Sequence, residues 1–553
     1  MSAVLGTPVP PTWTTGSTEV FKTGTWRAAL PRHIHAPSPC HQACPVNGDI
    51  AEWIGLARAG ELRAAFDVLT RHNPFPAIAG RICHHPCESA CNRAGHDAAV
   101  SICRLERHVG DTALAQRWRH APPAVERAGH VAVVGAGPAG LSAAFQLRHR
   151  GWRVTLYEAN AEAGGLMRYG IPAYRLARDV LDAEIERIVA LGVELRCNVR
   201  LGTPDDFARL RAAHDAVFVA VGAARPRRLS QLDYGEGWVL DGAAYLGAVN
   251  AGFRPALGHS VVVVGGGSAA LDAARSARRA GHRVTILALE TREQMPAQRE
   301  EIDEALDEGI ALYDAAMLQS AAKGADGVRL SCVRVRRERA PAGGWHFDAQ
   351  PGGEFAFDVD AIITSIGQDP DLGAFAGALP QHAGLLGVDA AQATGAPGVW
   401  AGGDAASLAR FVTEAVGMGK RAALAIHRNL PGDGAGDAQE EGEAVVPLAA
   451  IATWYHVDTP RAAPRTLAPE ERMTGAEVQL GFDDVAQALA EAERCYSCGT
   501  CISCDNCVVV CPDLAVRRVP AGGYEVLGDY CKGCGLCVRE CPTGSMKMLE
   551  EVR

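Results

Sequence analysis

Apolar runs and glycine-rich turns alternate in the middle of the chain in the order strand, turn, helix, strand. Apolar residues predict a strand over His130–Val134, a helix over Leu141–Arg150 and a second strand over Val154–Glu158. The same order of elements is repeated later in the chain, over Val261–Val264, Leu271–Ala280 and Val284–Leu287. Two such units predict a duplicated dinucleotide-binding fold.

The first glycine turn has the composition of a pyrophosphate-binding loop. It consists of Gly135, Ala136, Gly137, Pro138, Ala139 and Gly140. Its three glycines allow a tight turn, a close approach of the backbone to a pyrophosphate, and close packing of helix on strand. Glu158 ends the next strand, where a carboxylate accepts hydrogen bonds from a ribose. This acid and the flanking strands favour a dinucleotide site over a glycine-rich turn in an ordinary βαβ unit.

The second glycine turn repeats the pattern and indicates which nucleotide binds there. Its candidate binding residues are Gly265, Gly267, Ser268 and Ala270. Glu290 follows the next strand, and an acid at this place bonds a free 2′-hydroxyl and repels a 2′-phosphate. We therefore expect NAD rather than NADP. Two separate alternatives stay open: that Arg292, two residues further on, meets a phosphate, and that Glu290 is only a solvated charge at a strand end.

Two cysteine runs at the end of the chain have the spacing of a bacterial two-cluster ferredoxin. Both read Cys-x2-Cys-x2-Cys-x3-Cys-Pro, at Cys501, Cys504, Cys507 and Cys511 and at Cys531, Cys534, Cys537 and Cys541. The fourth cysteine of each run ligates the other cluster in such proteins, so we expect Cys541 in the first cluster and Cys511 in the second. Zinc sites usually pair two short knuckles and do not repeat this run. The tail predicts two 4Fe–4S clusters and single-electron transfer.

Cys495 and Cys498 extend the same spacing upstream of the tail. A further cluster, another metal and free thiols are all compatible with them, and we favour free thiols. The chain has 18 cysteines among 553 residues, clustered and without a signal-peptide pattern, which predicts metal or cluster ligands in the cytoplasm. The net charge of −10 argues weakly against a nucleic-acid partner, and no apolar stretch approaches the length of a membrane span.

Residues 40–425 resemble the small (β) subunit of bacterial glutamate synthase. The same module forms the N-terminal part of dihydropyrimidine dehydrogenase and the large subunit of NADH-dependent ferredoxin:NADP oxidoreductase. The matching strings are Asn73-Pro-Phe-Pro, Gly80-Arg-Ile-Cys83, Cys87-Glu-Ser-Ala-Cys91, Val133-Val-Gly-Ala-Gly-Pro-Ala-Gly-Leu141, Gly164-Gly-Leu-Met-Arg-Tyr-Gly-Ile-Pro172, Gly265-Gly-Gly267, Glu293-Gln-Met-Pro296, Ser365-Ile-Gly-Gln368 and Gly402-Gly-Asp404. The tail, preceded by Glu491-Ala-Glu-Arg-Cys495, looks like that of flavin subunits in systems such as 2-oxoacid:ferredoxin oxidoreductases.

The resemblance implies FAD in the first site, a nicotinamide nucleotide in the second, and iron–sulfur clusters in a helical N-terminal domain. It extends the expected FAD site to Gly165, Leu166, Gly222, Gly403, Asp404 and Thr413, and the NAD site to Gly367. NADPH-using members carry Tyr-Arg-Arg where this chain has Ala288-Leu289-Glu290, which agrees with NADH. Hydride transfer between nicotinamide and flavin is chemistry of the cofactors, so no catalytic side chain is expected.

The N-terminal cysteines depart from the family pattern of Cys-x2-Cys-x4-Cys-x3-Cys-Pro. The corresponding positions here are Arg32, His35, Cys40 and Cys44. By the family's wiring, a complete 4Fe–4S set consists of Cys44, Cys83, Cys87 and Cys91. The other set would need Arg32, His35, Cys40 and a side chain near Glu106. We therefore expect that cluster to be absent and the total to be three, with His33 or His35 left open as a substitute ligand.

The predicted architecture is an α/β chain with two interleaved Rossmann-like domains between iron–sulfur domains. The expected parts are a helical cluster domain (1–125), an FAD-binding domain (126–255 and 370–430), an NAD-binding domain (256–369), a linker and connecting segment (431–485), and an α+β ferredoxin-like domain (486–553). The expected function is electron transfer between NADH and ferredoxin-type carriers, in a complex with other subunits or with ferredoxin. The alternatives are a glutamate synthase small subunit, which the ferredoxin tail argues against, and a scaffold with degenerate sites, which the intact glycines and cysteines argue against.

Overall fold

The computed structural model describes most of the chain. The described residues are 22–24, 27–325, 327–339, 345–431, 444–475, 477–520 and 522–551. The start of the predicted cluster domain, residues 1–21, and the first part of the predicted linker and connecting segment, residues 432–443, thus lie outside the described residues. Within the described part, we find no helix that combines the length and the apolar character needed to span a bilayer.

The first glycine turn follows the central strand of a five-stranded parallel sheet. In spatial order the strands are Val399–Ala401, Ala216–Val219, His130–Val134, Arg153–Tyr157 and Glu194–Arg196. The central strands are almost wholly buried, as expected for a parallel sheet with helices on both faces. Because Val399–Ala401 comes late in the chain, the chain leaves this unit, builds the second one and returns.

The second glycine turn lies in another five-stranded parallel sheet. Its strands, in spatial order, are Ala311–Tyr313, Arg283–Leu287, Ser260–Val264, Ala361–Thr364 and Val239–Asp241. Val239–Asp241 precedes residue 256, so the boundary predicted there is wrong and the second unit begins earlier. A strand of three residues is too short to show a period, and only its pairing with Ile362, Ile363 and Thr364 assigns it to this sheet.

Helices cover the two parallel sheets. Those of the first unit are Pro138–His149, Leu166–Tyr169, Arg178–Val189, Pro204–Ala212 and Val412–Asn429, and those of the second are Gly242–Asn250, Ser268–Arg279 and Arg299–Asp307. The first of them begins earlier than the apolar pattern predicts, at Pro138. Proline suits the first turn of a helix, where its missing N–H costs no hydrogen bond.

Antiparallel strands complete the two units. A three-stranded sheet of Ala316–Lys323, Val328–Arg339 and Trp345–Val359 packs against the second parallel sheet. The pair Arg225–Pro226 and Gln368–Asp369 lies where the chain passes between the units. Short ladders join Gln381–His382 to Leu385–Leu386 and Arg465–Thr466 to Gln479–Gly481.

The N-terminal unit is helical but begins with a strand. Its helices are Pro39–Ala43, Ile50–Arg58, Leu62–Thr70, Pro76–Ile82, Pro86–Ser89 and Ile102–Ala115. The strand Ala29–His33 precedes them and pairs antiparallel with Met546–Glu550, at the other end of the chain. The predicted helical domain is thus present, and the strand is an addition that a pattern of five residues could not reveal, because its partner is so distant in the chain.

The tail and the segment before it pack on the N-terminal unit. The helix Val485–Glu493 buries Ala488 and Ala492 in the same apolar core as Trp53 and Ile54. The tail itself contains the helices Asn506–Val509 and Leu536–Arg539 and the strands Val516–Arg518, Tyr524–Val526 and Met546–Glu550. Single 3₁₀ turns lie at Asn92–Gly95, Gly373–Phe375, Gly403–Ala405, Leu448–Ala450, Thr453–Tyr455 and Glu471–Thr474.

Candidate nucleotide and cluster sites

The first glycine turn is tightly packed on its protein side and open above it. The N–H of Gly135 donates to the carbonyl oxygen of Tyr157 at 2.7 Å, and the φ angle of Gly135 is +104°, which favours glycine. A Cβ at Gly140 would overlap the carbonyl oxygen of Gly135. A Cβ at Gly137, by contrast, would meet its nearest atom, the Cα of Gly165, at 3.9 Å. Such a turn fits a pyrophosphate at the helix N-terminus.

Glu158 is a buried acid held against this turn. Its residue is only 5% exposed, just after the strand Arg153–Tyr157. Its Oε2 accepts the N–H of Ala136 and its Oε1 accepts the N–H of Asn160, both at 2.9 Å. These bonds fix the carboxylate beside the turn, at the place where a ribose would meet it.

Three of the expected FAD residues lie on loops around the same turn. The N–H of Gly164 donates to the carbonyl oxygen of Ala136 at 2.8 Å, which places Gly165 and the half-exposed Leu166 beside the turn. Gly222 has a φ of +68°, and no atom lies within 4 Å of the position of its Cβ. The loops therefore leave space next to the turn.

The remaining expected FAD residues approach from the last strand of the first sheet. A Cβ at Gly403 would lie 3.0 Å from the Cβ of Ala139. Asp404 follows, and its burial raises the pKa of its carboxyl. Thr413 is buried in the first turn of the helix Val412–Asn429, which packs on the helix that begins at Pro138. All residues expected at the FAD site thus border one region.

The second turn repeats the geometry of the first. The N–H of Gly265 donates to the carbonyl oxygen of Leu287 at 2.9 Å, and the φ of Gly265 is +140°. Gly267 caps the helix that contains Ser268 and Ala270 in its first turn. Gly367 also has a positive φ, +105°. The structure therefore brings the expected NAD residues to one end of the second sheet.

An acid, rather than an arginine, stands over the second turn. The Oε2 of Glu290 lies 2.9 Å from the position that a Cβ at Gly266 would take. Arg292 pairs with Asp303 at 2.6 Å, with both side chains about half exposed. The charge nearest to the turn is therefore negative.

The tail cysteines form two groups that cross between the runs. The first tail set, Cys501, Cys504, Cys507 and Cys541, lines one cavity. The second tail set consists of Cys511, Cys531, Cys534 and Cys537. Burial raises the pKa of the Cys537 thiol to about 12, and the other three thiols lie close enough to add to that rise. The fourth cysteine of each run lies with the other run.

The N-terminal set consists of Cys44, Cys83, Cys87 and Glu106. Burial raises the pKa of the Cys83 thiol to about 12, and the Glu106 carboxyl and the Cys44 thiol add to the rise. Burial also raises the pKa of Cys87, with Cys83, Cys44 and Glu106 contributing. Glu106 is itself buried and accepts a hydrogen bond from Nδ2 of Asn73 at 2.7 Å. Three thiols and one carboxyl are thus brought together.

Cys91, which we expected in the N-terminal set, lies elsewhere. It lines a second cavity with Cys40, Cys495 and Cys498, which we call the bridging set. The expected ligand set is therefore wrong at one position. Glu106, and not Cys91, lies next to Cys83 and Cys87. Cys87 is inside the helix Pro86–Ser89, whereas Cys91 is past its end in extended backbone, so the chain changes direction between them.

The positions of the two missing cysteines belong to the ferredoxin-like tail. Arg32 pairs with Lys547 in the terminal ladder, and the His33 ring meets Tyr524 edge-on at 5.7 Å between centroids. His33 lines the cavity of the first tail set, and His35 is exposed. Neither histidine lines the cavity that contains Cys40. The two histidines are thus placed away from the site for which we considered them.

One contact joins the FAD site to the N-terminal set. The Sγ of Cys83 lies 3.6 Å from the Oγ1 of Thr413, at the start of the helix Val412–Asn429. Further along the same helix, the Nζ of Lys420 donates to the carbonyl oxygen of Val46 at 2.7 Å. The helix that borders the FAD site therefore also anchors the cysteine-bearing unit.

Family comparisons identify three kinds of domain along the chain. The description of pyridine nucleotide-disulphide oxidoreductases matches residues 129–419, more than half of the chain. The chain belongs to the pyridine nucleotide-disulphide oxidoreductase family. In this oxidoreductase, domain II of dihydropyrimidine dehydrogenase, with its 4Fe–4S cluster, matches residues 33–118, and a 4Fe–4S dicluster domain matches residues 500–545.

Relatives of this oxidoreductase include subunits of several electron-transfer enzymes. It is 35% identical to the NADP(+)-dependent formate dehydrogenase subunit beta of Moorella thermoacetica, over 83% of this chain and 70% of that one. It is 33% identical to the NAD-dependent dihydropyrimidine dehydrogenase subunit PreT of Escherichia coli, over 71% and 92%. It is also 33% identical to the glutamate synthase [NADPH] small chain of Azospirillum brasilense, over 70% and 85%.

These findings confirm the predicted class and fold. The chain is an NAD(P)H-linked, FAD-dependent electron-transfer oxidoreductase with iron–sulfur domains. The mixed α/β architecture with two Rossmann-like units is confirmed as well. Sequence reasoning missed the bridging set. The signal that pointed to it was the spacing of Cys495 and Cys498, which is that of a ligand pair.

Proposed function

We propose that this oxidoreductase oxidises NADH and passes the electrons, one at a time, to an iron–sulfur protein. One NADH yields NAD⁺, a proton and two electrons, and each of two ferredoxin-type acceptors takes one of them. The observation that carries this proposal is the contact of 3.6 Å between Cys83 and Thr413, where the FAD site borders the N-terminal set. A nucleotide site and a thiol set in contact suit direct electron exchange.

FAD fits the first glycine turn. When bound, FAD accepts a hydride from the nicotinamide and releases its two electrons singly. The open backbone at Gly137 would receive the pyrophosphate, and Glu158 would hold the ribose. The buried Thr413 and the partly buried Asp404 would border the flavin and limit the access of water.

NADH rather than NADPH is supported by the charge at the second turn. The Glu290 carboxylate over Gly266 would accept hydrogen bonds from a free 2′-hydroxyl and repel a 2′-phosphate. Arg292 is paired with Asp303 and therefore has a carboxylate partner already. The curated relatives include NAD-dependent and NADP-dependent proteins, so they do not favour either nucleotide. The proposed preference for NADH therefore rests on the negative charge of Glu290.

Clusters fit the thiol sets better than single ions do. Among the described residues, no three cysteine sulfur atoms lie within 4.8 Å of one another. A single zinc ion, with Zn–S near 2.3 Å, would draw its thiolates to about 3.8 Å apart. We assign one 4Fe–4S cluster to each tail set and one to the N-terminal set, with Glu106 as its fourth ligand.

The tail is the proposed exit towards the partner. Cys504 and Cys534 are the exposed members of the two tail sets. Large apolar side chains stand exposed on the same tail, above all Val509 at 81% and Leu514 at 71%. Exposed apolar residues next to electron-carrying thiols favour the docking of a small iron–sulfur protein or a partner subunit.

The domain boundaries and the location remain part of the proposal. We retain cluster, FAD-binding, NAD-binding and ferredoxin-like domains, with the NAD-binding domain extended to include Val239–Asp241. All eighteen cysteines lie in the described part of the chain and none of them forms a disulfide there. Cysteines in such number, most of them assigned as cluster ligands, favour the reducing cytoplasm.

Anaerobic steady-state kinetics test the proposed function. The purified protein is supplied with NADH or NADPH, and with methyl viologen or a two-cluster ferredoxin as acceptor. We expect both acceptors to be reduced, with kcat/KM at least about tenfold higher for NADH. A higher kcat/KM for NADPH would contradict the nucleotide assignment. Reduction of viologen but not of ferredoxin would contradict the assigned class of partner.

A further inference from the structure

The bridging set of Cys40, Cys91, Cys495 and Cys498 has no role in the function proposed above. We propose that these four cysteines bind a fourth 4Fe–4S cluster. Their sulfur atoms come from three separate segments and line a single cavity. The other walls of the cavity are mostly apolar, with Ile50, Ile54, Val100 and Ile102 among them. Four buried thiols around one apolar cavity are the donor set of a cubane.

The four thiols of the bridging set face one another. Burial raises the pKa of Cys40, and the thiols of Cys495, Cys498 and Cys91 each add to that rise. Burial likewise raises the pKa of Cys498 to about 12, with contributions from Cys495 and Cys91. The four thiols are therefore close to one another, in agreement with the cavity that they line together.

The turn between Cys495 and Cys498 has the conformation of the ligand turns in the tail. Ser497 has a φ of +50°, and its N–H donates to the Sγ of Cys495 at 3.4 Å. In the first tail run, Ser503 has a φ of +55°, and its N–H donates to the Sγ of Cys501 at 3.4 Å. A left-handed residue two positions after the cysteine turns an N–H onto the sulfur in both cases. Such a hydrogen bond stabilises a thiolate more than a thiol, which suits a ligand.

Polar donors reach two further sulfur atoms of the set, those of Cys498 and Cys40. Nδ2 of Asn92 donates to the Sγ of Cys498 at 3.5 Å. The hydroxyl of Ser38 lies 3.0 Å from the Sγ of Cys40. Donors around cluster sulfur atoms are among the features that set a cluster's reduction potential.

Buried charges hold the segment with Cys495 and Cys498 against the segment with Cys91. Glu491 accepts the backbone N–H of Ser101 and the Nη1 of Arg494, both at 2.7 Å, and is 1% exposed. Nη1 of Arg93, two residues after Cys91, donates to the carbonyl oxygen of Arg494 at 3.2 Å. These bonds therefore fix the candidate ligands from the two ends of the chain relative to one another.

A single metal ion does not fit the bridging set. No three of its sulfur atoms lie within 4.8 Å of one another, as is true throughout the described residues. One tetrahedral zinc would need separations of about 3.8 Å. The set thus has the wider spacing that the tail sets also have.

The bridging set lies between the N-terminal set and the first tail set. Along the chain, Cys40 lies four residues before Cys44, and Cys91 lies four residues after Cys87; both Cys44 and Cys87 belong to the N-terminal set. On the other side, the N–H of Gly499, next to Cys498, donates to the carbonyl oxygen of Thr543 at 2.7 Å. Thr543 is two residues past Cys541 of the first tail set. A cluster here completes a series of sites from the FAD turn to the tail.

Iron, sulfide and zinc counts test this inference without any activity measurement. The full-length protein is reconstituted anaerobically with iron and sulfide, and its reduced form is examined by EPR with spin quantification. Four clusters predict about sixteen irons per chain, whereas three predict about twelve. The double variant Cys495→Ser/Cys498→Ser should lose about four irons and one EPR signal. Cys197→Ser is the matched control and should retain all of the irons and EPR signals, because Cys197 belongs to none of the four sets and lines neither the bridging-set cavity nor the cavity of the first tail set.

The iron count of the wild-type protein decides between three and four clusters even if the double variant fails to fold. About twelve irons in wild-type protein, or one tightly bound zinc together with twelve irons, would overturn the assignment. So would a double variant that keeps its FAD and the full iron count. Because NADH oxidation does not enter these measurements, a failure of the nucleotide assignment would not affect them.

Discussion

The guanidinium of Arg494 donates from Nη2 to the carboxylate of Asp97 at 3.0 Å, although the two residues lie near opposite ends of the chain. The Arg494 side chain is 1% exposed and that of Asp97 is 16% exposed. The same guanidinium binds Glu491 and the carbonyl oxygen of Ala98. The buried guanidinium thus holds the segment before the tail on the N-terminal unit.

Arg494→Met should destabilise this junction. The variant leaves the buried Glu491 without its cation, which typically costs about 3–5 kcal/mol, whereas Asp97 keeps its ion pair with Arg93. We expect a lower midpoint of chemical unfolding, together with loss of the iron of the bridging set and retention of FAD. Iron counting and flavin absorbance measure both effects.

The matched control for Arg494→Met is Arg209→Met. Arg209 pairs with Asp206 at 2.5 Å, but its side chain is 72% exposed. Exposed pairs contribute little to stability, so the unfolding midpoint and the iron content should be unchanged. Equal effects of the two variants would show that burial of the Arg494 pair is unimportant.

Leu289→Arg/Glu290→Ser should change the nucleotide preference. The double change removes the acid over the second glycine turn and supplies a cation for a 2′-phosphate. We expect the ratio of kcat/KM for NADH over NADPH to fall by at least about tenfold. Glu293→Gln, a nearby exposed change, is the control and should leave the ratio as it is. A double variant that still prefers NADH as strongly as wild type would show that Glu290 does not select the nucleotide.

Gly140→Ala should abolish FAD binding. Its Cβ would overlap the carbonyl oxygen of Gly135 and force the turn apart. The flavin-to-protein ratio after purification should fall severalfold, while the tail clusters remain. Gly247→Ala is the control, because a Cβ there would meet no atom nearer than 3.9 Å. If Gly140→Ala retained a full complement of FAD, the first turn would not be the flavin site.

Leu514→Asp should weaken the reaction with a protein acceptor and spare the reaction with a dye. Leu514 is 71% exposed on the tail, so a charge there leaves the fold intact and disturbs docking. We expect KM for ferredoxin to rise about fivefold or more with viologen reduction unchanged. Val125→Asp, exposed at 61% away from the tail, should affect neither reaction. An unchanged KM for ferredoxin in Leu514→Asp would place the docking surface elsewhere.

Sequence reasoning succeeded where the determinants are local. Gly135 and Gly265 follow their strands directly, and each is read from the turn and the strands that flank it. The tail sets follow from two runs with short spacings, since the crossed pairing is a property of the run itself. In these cases a few consecutive residues determine the geometry of the turn or of the ligand set.

It failed where residues meet across the length of the chain. The strand Ala29–His33 and its partner Met546–Glu550, or Cys91 and Cys495, are joined only in the folded molecule. The absence of cysteine at positions 32 and 35 suggested a lost cluster, because nothing in the sequence shows that Cys495 and Cys498 fold back to Cys40. The packing of the helix Val485–Glu493 on the N-terminal unit supplies this missing information.

The grouping of ligands is the central claim, and the additivity of iron losses tests it most directly. Iron is counted in reconstituted Cys91→Ser, in Cys91→Ser/Cys495→Ser and in Cys91→Ser/Cys83→Ser. If Cys91 and Cys495 share one cluster and Cys83 belongs to another, the first two proteins lose about four irons each and the third loses about eight. The opposite result would be a loss of about eight irons in Cys91→Ser/Cys495→Ser and of only about four in Cys91→Ser/Cys83→Ser. It would place Cys91 in the N-terminal set and contradict the account.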